Sequence, residues 1–372
     1  MKNRMKTRPN QPRPNQQNLL GQPNQQKQQV QQEQSNQRGQ QSQHHAIVVG
    51  INSYPVSGLA ALQGPVNDAK DFLGWLRDPH GGNVPEAQIQ SILSSDFAQD
   101  AALPFPNQIE ILFEPFITKG VQGRYGERLY IFVAGHGFGD PGDMGTTALY
   151  AANARKMFPW HVAITDYVDW LRRHAVFDEI VLFMDCCRTV NAYHEVKEPQ
   201  YPTSKGRTGA DQVRYFFAFA VGRGRIARER RFEDGRNSGI FTRTLLHALE
   251  TTRPQHGKVT GQLLKNHIHN SLESFAGNVQ IDPPVIRLDS QQDITFVHRK
   301  SAQTVPVQVR LASYSGTEIF LLSDGNFQKI REERVAAQTF TLELEPGLYK
   351  IAVKNTRRQQ IFEVPNHAEI AV

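Results

Sequence analysis

The chain has 372 residues, 39% hydrophobic and 21% charged, which is enough for more than one packed core and unlike a fibre or a disulfide scaffold. Its net charge of +6 would suit a nucleic-acid binder if it were spread over a folded surface. It is not: residues 1–45 hold seven Lys or Arg and one acid, Glu33, which accounts for the whole excess, and bases and acids balance over the rest of the chain.

Residues 1–44 are dominated by Gln and Asn, with Met1, Met5, Leu19, Leu20 and Val30 as the only sizeable apolar side chains. Such a segment cannot offset its ordering entropy by burial and is expected to be a disordered basic tail, with His44 and His45 at its end. It lacks the aromatic interleaving of single-strand binders, so no specific nucleic-acid contact is expected. It also lacks a signal-peptide core, and no apolar run in the chain approaches the length of a membrane span. A soluble, cytoplasmic protein without a membrane span is the expectation. The two cysteines, Cys186 and Cys187, are adjacent and suit a reducing compartment.

From residue 45 to about 298, short apolar runs alternate with helical periodicity, the pattern of an α/β fold with a mostly parallel sheet flanked by helices. Ile47–Ile51, Ile89–Leu93, Leu129–Val133, Ile180–Met184 and Tyr215–Val221 read as strands. One helical face is spaced through Ala69, Phe72, Leu73 and Leu76, another through Ile109, Leu112, Phe113, Phe116 and Ile117, and a third through Ile164, Tyr167, Val168 and Leu171. Two more helices are expected near Phe241–Leu249 and Leu263–Phe275. Residues 303–372 change character. Val305–Leu311, Glu318–Leu322, Thr339–Leu344, Leu348–Val353 and Gln360–Val364 alternate with period two, and turn signals at Ser323-Asp324-Gly325-Asn326 and Pro346-Gly347 suggest a small all-β sandwich. A binding role, toward a regulatory partner or substrate, or a spacing role is the expectation for it.

Reactive groups in open α/β sheets gather at the carboxyl ends of strands. After Leu129–Val133 comes Ala134-Gly135-His136-Gly137; after Ile180–Met184 comes Asp185-Cys186-Cys187-Arg188. If those strands are neighbours, an imidazole and a thiol meet across the top of the sheet, the pair that cysteine nucleophilic catalysis requires.

These residues resemble the caspase-like cysteine peptidases, the clan of caspases, metacaspases and their bacterial relatives. In caspases the His lies about 50 residues before the Cys, and His136 precedes Cys187 by that interval. His45-Ala-Ile-Val-Val-Gly-Ile-Asn52 is similar to the family's first strand, Leu62-Gln-Gly-Pro-Val-Asn-Asp-Ala69 to the loop and helix start that follow, and Ser238-Gly-Ile-Phe-Thr-Arg-Thr-Leu-Leu246 to its Gly-x-Phe-Thr helix. The resemblance covers about residues 45–290. It implies a three-layer sandwich and peptide-bond hydrolysis through a thioester on Cys187, with His136 as acid/base and the amides of Gly137 and Cys187 as oxyanion hole. It further implies Asp68 and Asp185 as the acids of a pocket for Arg or Lys at P1. No metal ligand set and no organic cofactor are expected. Calcium activation, known among relatives, has no recognisable site here, since Asp140, Asp143 and Gly145 are not a ligand set.

The sequence departs from the family where metacaspases continue Cys-His-Ser-Gly and this chain has Cys187-Arg188-Thr189-Val190. A scaffold that keeps the fold without catalysis is therefore the alternative reading. The polar stretch Arg188–Arg214 resembles the cleavable linker of relatives, with Lys205 and Arg207 as self-cleavage sites. The basic stretch Arg223–Arg236 reads as a solvated loop paired with Glu229, Glu233 and Asp234.

Overall fold

The computed structural model describes residues 43–372, apart from 57, 99, 192–193, 200, 202–205, 256, 290–291, 299–303, 325–328, 346 and 365–368. The tail up to residue 42, the cleavage candidate Lys205, and Gly325, Asn326 and Pro346 of the turn signals thus lie outside the described residues. Among the described residues, no helix is long and apolar enough to cross a membrane.

In chain order the first part runs β1 (His44–Gly50), α1 (Pro65–Arg77), β2 (Ile89–Leu93), α2 (Pro106–Glu110), α3 (Glu114–Gly120) and β3 (Gly126–Gly135). Three short strands follow, β4 (Gly137–Gly139), β5 (Thr147–Tyr150) and β6 (His161–Val162), then α4 (Ile164–Arg173), β7 (Phe177–Cys186), β8 (Thr189–Val190) and β9 (Arg214–Phe219). Next come the hairpin β10 (Glu229–Arg231) and β11 (Asn237–Gly239), α5 (Ile240–Thr251), β12 (Lys258–Thr260), α6 (Gly261–Ala276), β13 (Val285–Leu288) and β14 (Thr295–His298). The last segment is all strand: β15 (Val305–Arg310), β16 (Ile319–Asp324), β17 (Lys329–Arg334), β18 (Thr339–Leu344), β19 (Gly347–Val353), β20 (Gln359–Val364) and β21 (Glu369–Ala371).

All five expected strands join one six-stranded sheet in the order β13-β9-β7-β3-β1-β2, parallel except for the edge strand β13. The central strands are apolar on both faces because both are covered. One face packs Ile131, Val133, Leu182 and Met184 against α2, α3 and α4; the other packs Phe132, Val181 and Phe183 against α1, α5 and α6. This is an α/β three-layer sandwich. Val307, Val309, Phe320, Leu342, Ile351 and Phe362 form a separate apolar core between a three-stranded and a four-stranded sheet built from β15 to β21.

Two sequence expectations change, and one strand goes unread. The face through Ile109–Ile117 is split into two short helices, because Pro115 sits in the first turn of α3, where its missing N–H costs nothing, instead of inside a longer helix, where it would. His44 and His45 belong to β1 and not to the tail: the His45 ring packs 4.9 Å from Tyr125 and 5.6 Å from Phe116, and burial pushes its pKa down to about 4. The strand β17 escapes a reading by periodicity because all six of its residues, Lys329-Ile-Arg-Glu-Glu-Arg334, are exposed at a sheet edge, where charge deters further pairing.

Near the amino ends of the central strands, Arg128 on β3, Glu179 on β7 and Arg214 on β9 stand in one row of the register. Glu179, 2% exposed, accepts from both guanidinium groups, and Arg128 also donates to Tyr130 Oη and to the Thr295 carbonyl, each at 2.8 Å. Removing the shared anion leaves a buried cation uncompensated. Glu179→Leu should therefore cost about 3–5 kcal/mol, read as a lowered urea midpoint; an unchanged midpoint would show that the row does not hold these strands.

Candidate active site

The position of the site follows from the β3–β7 register. Gly135 pairs with Cys186 in the large sheet, and beyond it Phe138 of β4 pairs with Thr189 of β8, also in parallel. The separation along the chain is the same in both pairs and equals that between His136 and Cys187. These two residues, one step past the large sheet on each strand, therefore stand at the same level on neighbouring chains. Side chains alternate between faces along a strand. Met184 and Cys186 fall in the core beside α2, α3 and α4, whereas Asp185 reaches toward α1 and α5, and Cys187 follows the same alternation. Cys186 is buried, as expected of a core residue.

Each of the two side chains contacts a backbone carbonyl. Nε2 of His136 lies 2.8 Å from the Ala60 carbonyl oxygen, and its backbone N–H donates to Tyr54 Oη at 2.8 Å. Cys187 Sγ lies 3.9 Å from the Ala227 carbonyl oxygen. Burial pushes the imidazole pKa below its usual range, while the Ala60 contact and the Glu229 carboxylate oppose that shift. Burial pushes the Cys187 thiol up; the negative Asp185 adds to this, and the Ala227 contact and Arg228 work against it. The resting thiol is thus held protonated at neutral pH.

Beside this pair, two carboxylates converge on Gly239. Asp68, in the first turn of α1 and 1% exposed, accepts from the Gly239 amide at 2.9 Å and from the Ser238 hydroxyl. Asp185, 7% exposed at the end of β7, accepts from the Thr242 amide at 3.1 Å and the Thr242 hydroxyl at 2.6 Å. Thr242 is in the first turn of α5, so the carboxylate also faces the positive end of that helix. A Cβ on residue 239 would lie 2.1 Å from one Asp185 oxygen and 3.1 Å from one Asp68 oxygen; only glycine fits between them. Burial, and then repulsion from Asp185, raise Asp68 well above the ordinary carboxylate range, and burial pushes Asp185 up to about 6.

A third acid is Glu229 on β10. Its carboxylate accepts from the Gly64 amide at 2.7 Å and the Gln63 amide at 3.1 Å, at the N-terminus of α1, and its charge is felt by both His136 and Asp185. From the sequence, Glu229 reads only as a counter-charge to nearby arginines. Those arginines are anchored instead: Arg230 donates to the Phe275 carbonyl, Arg223 to the Asp140 and Pro141 carbonyls, and Arg236 pairs with Asp71. Tyr54, Ala60, Ser238 and Thr242 are further site residues that sequence reasoning misses. Only the last two carry a signal, lying in the quoted Ser-Gly-Ile-Phe-Thr run.

Arg188, where the sequence departs from metacaspases, is buried. Its Nε donates to Thr147 Oγ1 at 3.0 Å, and its guanidinium lies 4.4 Å from the centre of the Phe219 ring. Its backbone bonds Arg225 and Gly224, at 3.0 and 2.7 Å, so the chain after Cys187 is held in β8 and not released as a loop. No group of three or more His, Cys, Asp or Glu suited to a metal ion occurs among the described residues.

The arrangement unites a thiol, an imidazole and three partly or wholly buried acids at one sheet edge. Among curated proteins, a probable protease of a Desulfuromonadales bacterium is 28% identical over 231 residues, 56% of this chain and 26% of that protein. The chain thus spans about a quarter of that relative's length. Among solved structures, caspase-1 of Spodoptera frugiperda is similar at 12% identity and a TM-score of 0.46, covering 69% of this chain and 93% of that one. A protein of Geobacter sulfurreducens gives 13% and 0.41, over 69% and 97%. The caspase-domain model matches residues 43–281, spanning all six strands of the large sheet but the last, and the chain belongs to the caspase-domain family of peptidases.

Proposed function

We propose that the protein is a cysteine endopeptidase that cleaves after Arg or Lys, with Cys187 as nucleophile and His136 as acid/base. The reading rests above all on the shared register level of His136 and Cys187 at the carboxyl edge of the sheet. The Cys187 thiol gives its proton to His136 as its sulfur attacks the scissile carbonyl carbon, and the amides of Gly137 and Cys187 receive the charge that develops on the carbonyl oxygen. Collapse expels the amine, protonated by His136, and leaves a thioester; water, deprotonated by His136, then releases the acid and restores the thiol. No organic cofactor enters any of these steps.

Asp68, Asp185 and Glu229 support the choice of a basic P1 residue. Asp68 and Asp185 are buried and Glu229 partly so; three carboxylates gathered there repel one another until a cation enters, and a guanidinium satisfies them through charge-assisted bonds. A P1 aspartate would add a fourth negative charge. We further propose that the C-terminal sandwich recruits a regulatory partner or substrate, and that the segment after β8 is the processing linker. Arg207 is anchored there, its amide to the Arg173 carbonyl at 2.9 Å and its guanidinium to the Val121 carbonyl, so cutting after it requires release of those bonds.

Digestion of a denatured proteome, read by mass spectrometry, should give Arg and Lys at P1, with all cleavage lost in Cys187→Ala. Asp68→Asn and Asp185→Asn should each lower kcat/KM on an Arg peptide by roughly 30-fold or more, the effect of about 2 kcal/mol for a buried charge contact. Cleavage after acidic residues would sink the pocket assignment. Absence of cleavage, together with failure of a thiol probe to label Cys187, would favour the scaffold.

The acids also set the pH dependence. Asp185 ionises near pH 6 and Asp68 is raised, so cleavage after Arg should be lost as pH falls through about 6, where these groups gain protons. In Asp185→Asn the repulsion on Asp68 is gone, and the acid limb of the residual activity should move to lower pH. A limb that stays in place would assign it to His136 instead.

A further inference from the structure

We propose that Tyr54 is a positioning residue for His136, holding the imidazole where it can exchange a proton with the Cys187 side; the catalytic part of this claim rests on the peptidase reading above. The reason lies in how β3 ends. Ala134 still takes part in the sheet, its carbonyl accepting from the Ile51 amide at 3.0 Å, and Gly135 pairs with Cys186. At Gly135 the backbone turns, with φ +155, and the next amide, that of His136, leaves the ladder. That N–H donates instead to Tyr54 Oη at 2.8 Å. The phenol thus takes the place of the missing neighbouring strand. Its ring is 3% exposed and packs against the imidazole, with centroids 4.8 Å apart.

The position of the phenol is built in from both sides. A Cβ on residue 135 would stand 2.6 Å from Tyr54 Oη, so glycine is required for the hydroxyl to reach the amide. Tyr54 belongs to the segment between β1 and α1, which is fixed near its start by Asn52: the Asn52 amide donates to Ser94 Oγ at 3.0 Å, and its Oδ1 accepts from the Val66 amide at 2.9 Å. The same segment supplies the Ala60 carbonyl to Nε2 of His136. On the other side, the His136 carbonyl accepts from the Tyr150 amide at 2.9 Å. His136 is therefore held at its amide, its carbonyl and its ring, and Tyr54 touches both amide and ring. Because burial keeps the phenol protonated, it does not compete with the thiol or imidazole for the transferred proton.

The test uses the full chain and removes a single oxygen, Tyr54→Phe. On an Arg peptide, kcat should fall roughly tenfold, the equivalent of one lost hydrogen bond to a buried donor, while KM stays within about twofold because the pocket acids are untouched. Equal kcat in the two proteins, or a change confined to KM, would overturn the proposal. Amide hydrogen exchange gives a reading that does not depend on turnover: in the unmodified chain the His136 amide should exchange as slowly as those of β3, and in Tyr54→Phe as fast as loop amides. Fast exchange in the unmodified chain would refute the contact itself. If the unmodified chain shows no cleavage that depends on Cys187, the peptidase reading fails, and the exchange data alone then decide whether Tyr54 holds His136.

Discussion

The parallel pairing of β3 with β7 is the constraint on which the rest depends. A parallel ladder has one offset, and here the same sequence separation relates partners both before and after the gap in which His136 and Cys187 sit. Slipping β7 by one residue against β3 would turn the side chains of β7 to the other face. Phe183 would leave one core, Met184 and Cys186 the other, and the thiol would face away from the imidazole. The apolar cores on both faces therefore fix the chemistry at the strand ends, and the Arg128–Glu179–Arg214 row fixes the same register from the opposite end. Packing, buried charge and site geometry all specify one alignment.

What the sheet edge holds in place is electrostatically unfavourable at rest. Two carboxylates face each other across Gly239 with almost no access to water, and each is kept in place by backbone amides and hydroxyl groups. Backbone donors and helix ends offset only part of the cost of burying such groups; burial is the main reason both titrate high, with the charge of Asp185 adding to it at Asp68 and that of Glu229 at Asp185. A structure that maximised stability would replace this pair by apolar side chains. Retaining it makes sense for a site whose ligand supplies the missing positive charge.

Much of this is legible in the sequence, for identifiable reasons. Ile47–Ile51, Leu129–Val133 and Ile180–Met184 are continuous apolar runs because both faces of the sheet are covered, and such runs signal strands with little ambiguity. The spacing of His136 and Cys187 is the register itself written in the chain, and Asp68 and Asp185 stand out because each lies beside a recognisable run. Other features depend on partners distant in sequence. Glu229 looks like one charge in a basic stretch until the hairpin β10–β11 brings it to the amides of Gln63 and Gly64, and Tyr54 acquires a role only when Gly135 turns the His136 amide toward it. Strand β17 has no apolar residue on a buried face, so periodicity cannot reveal it. Pro115 is legible as a helix breaker, but the apolar spacing across Ile109–Ile117 outweighs it, since a short turn between two helices preserves much of the same face.

On the proposed reading, the same charges connect the pocket to the nucleophile. Asp185 is separated from Cys187 by one residue, and its negative charge helps to hold the thiol protonated. On the reading proposed for the pocket, a guanidinium seated against Asp68 and Asp185 cancels that field, so the free energy that disfavoured the thiolate is released when the P1 residue enters. Burial of the thiol by the bound peptide acts in the opposite direction, which leaves the imidazole beside it, held at amide, carbonyl and ring, as the group that must accept the proton without moving. On that reading a resting thiol with a raised pKa is compatible with an active enzyme: reactivity would belong to the occupied site, and the empty one would be protected from adventitious oxidants and electrophiles, which attack thiolates in preference to thiols.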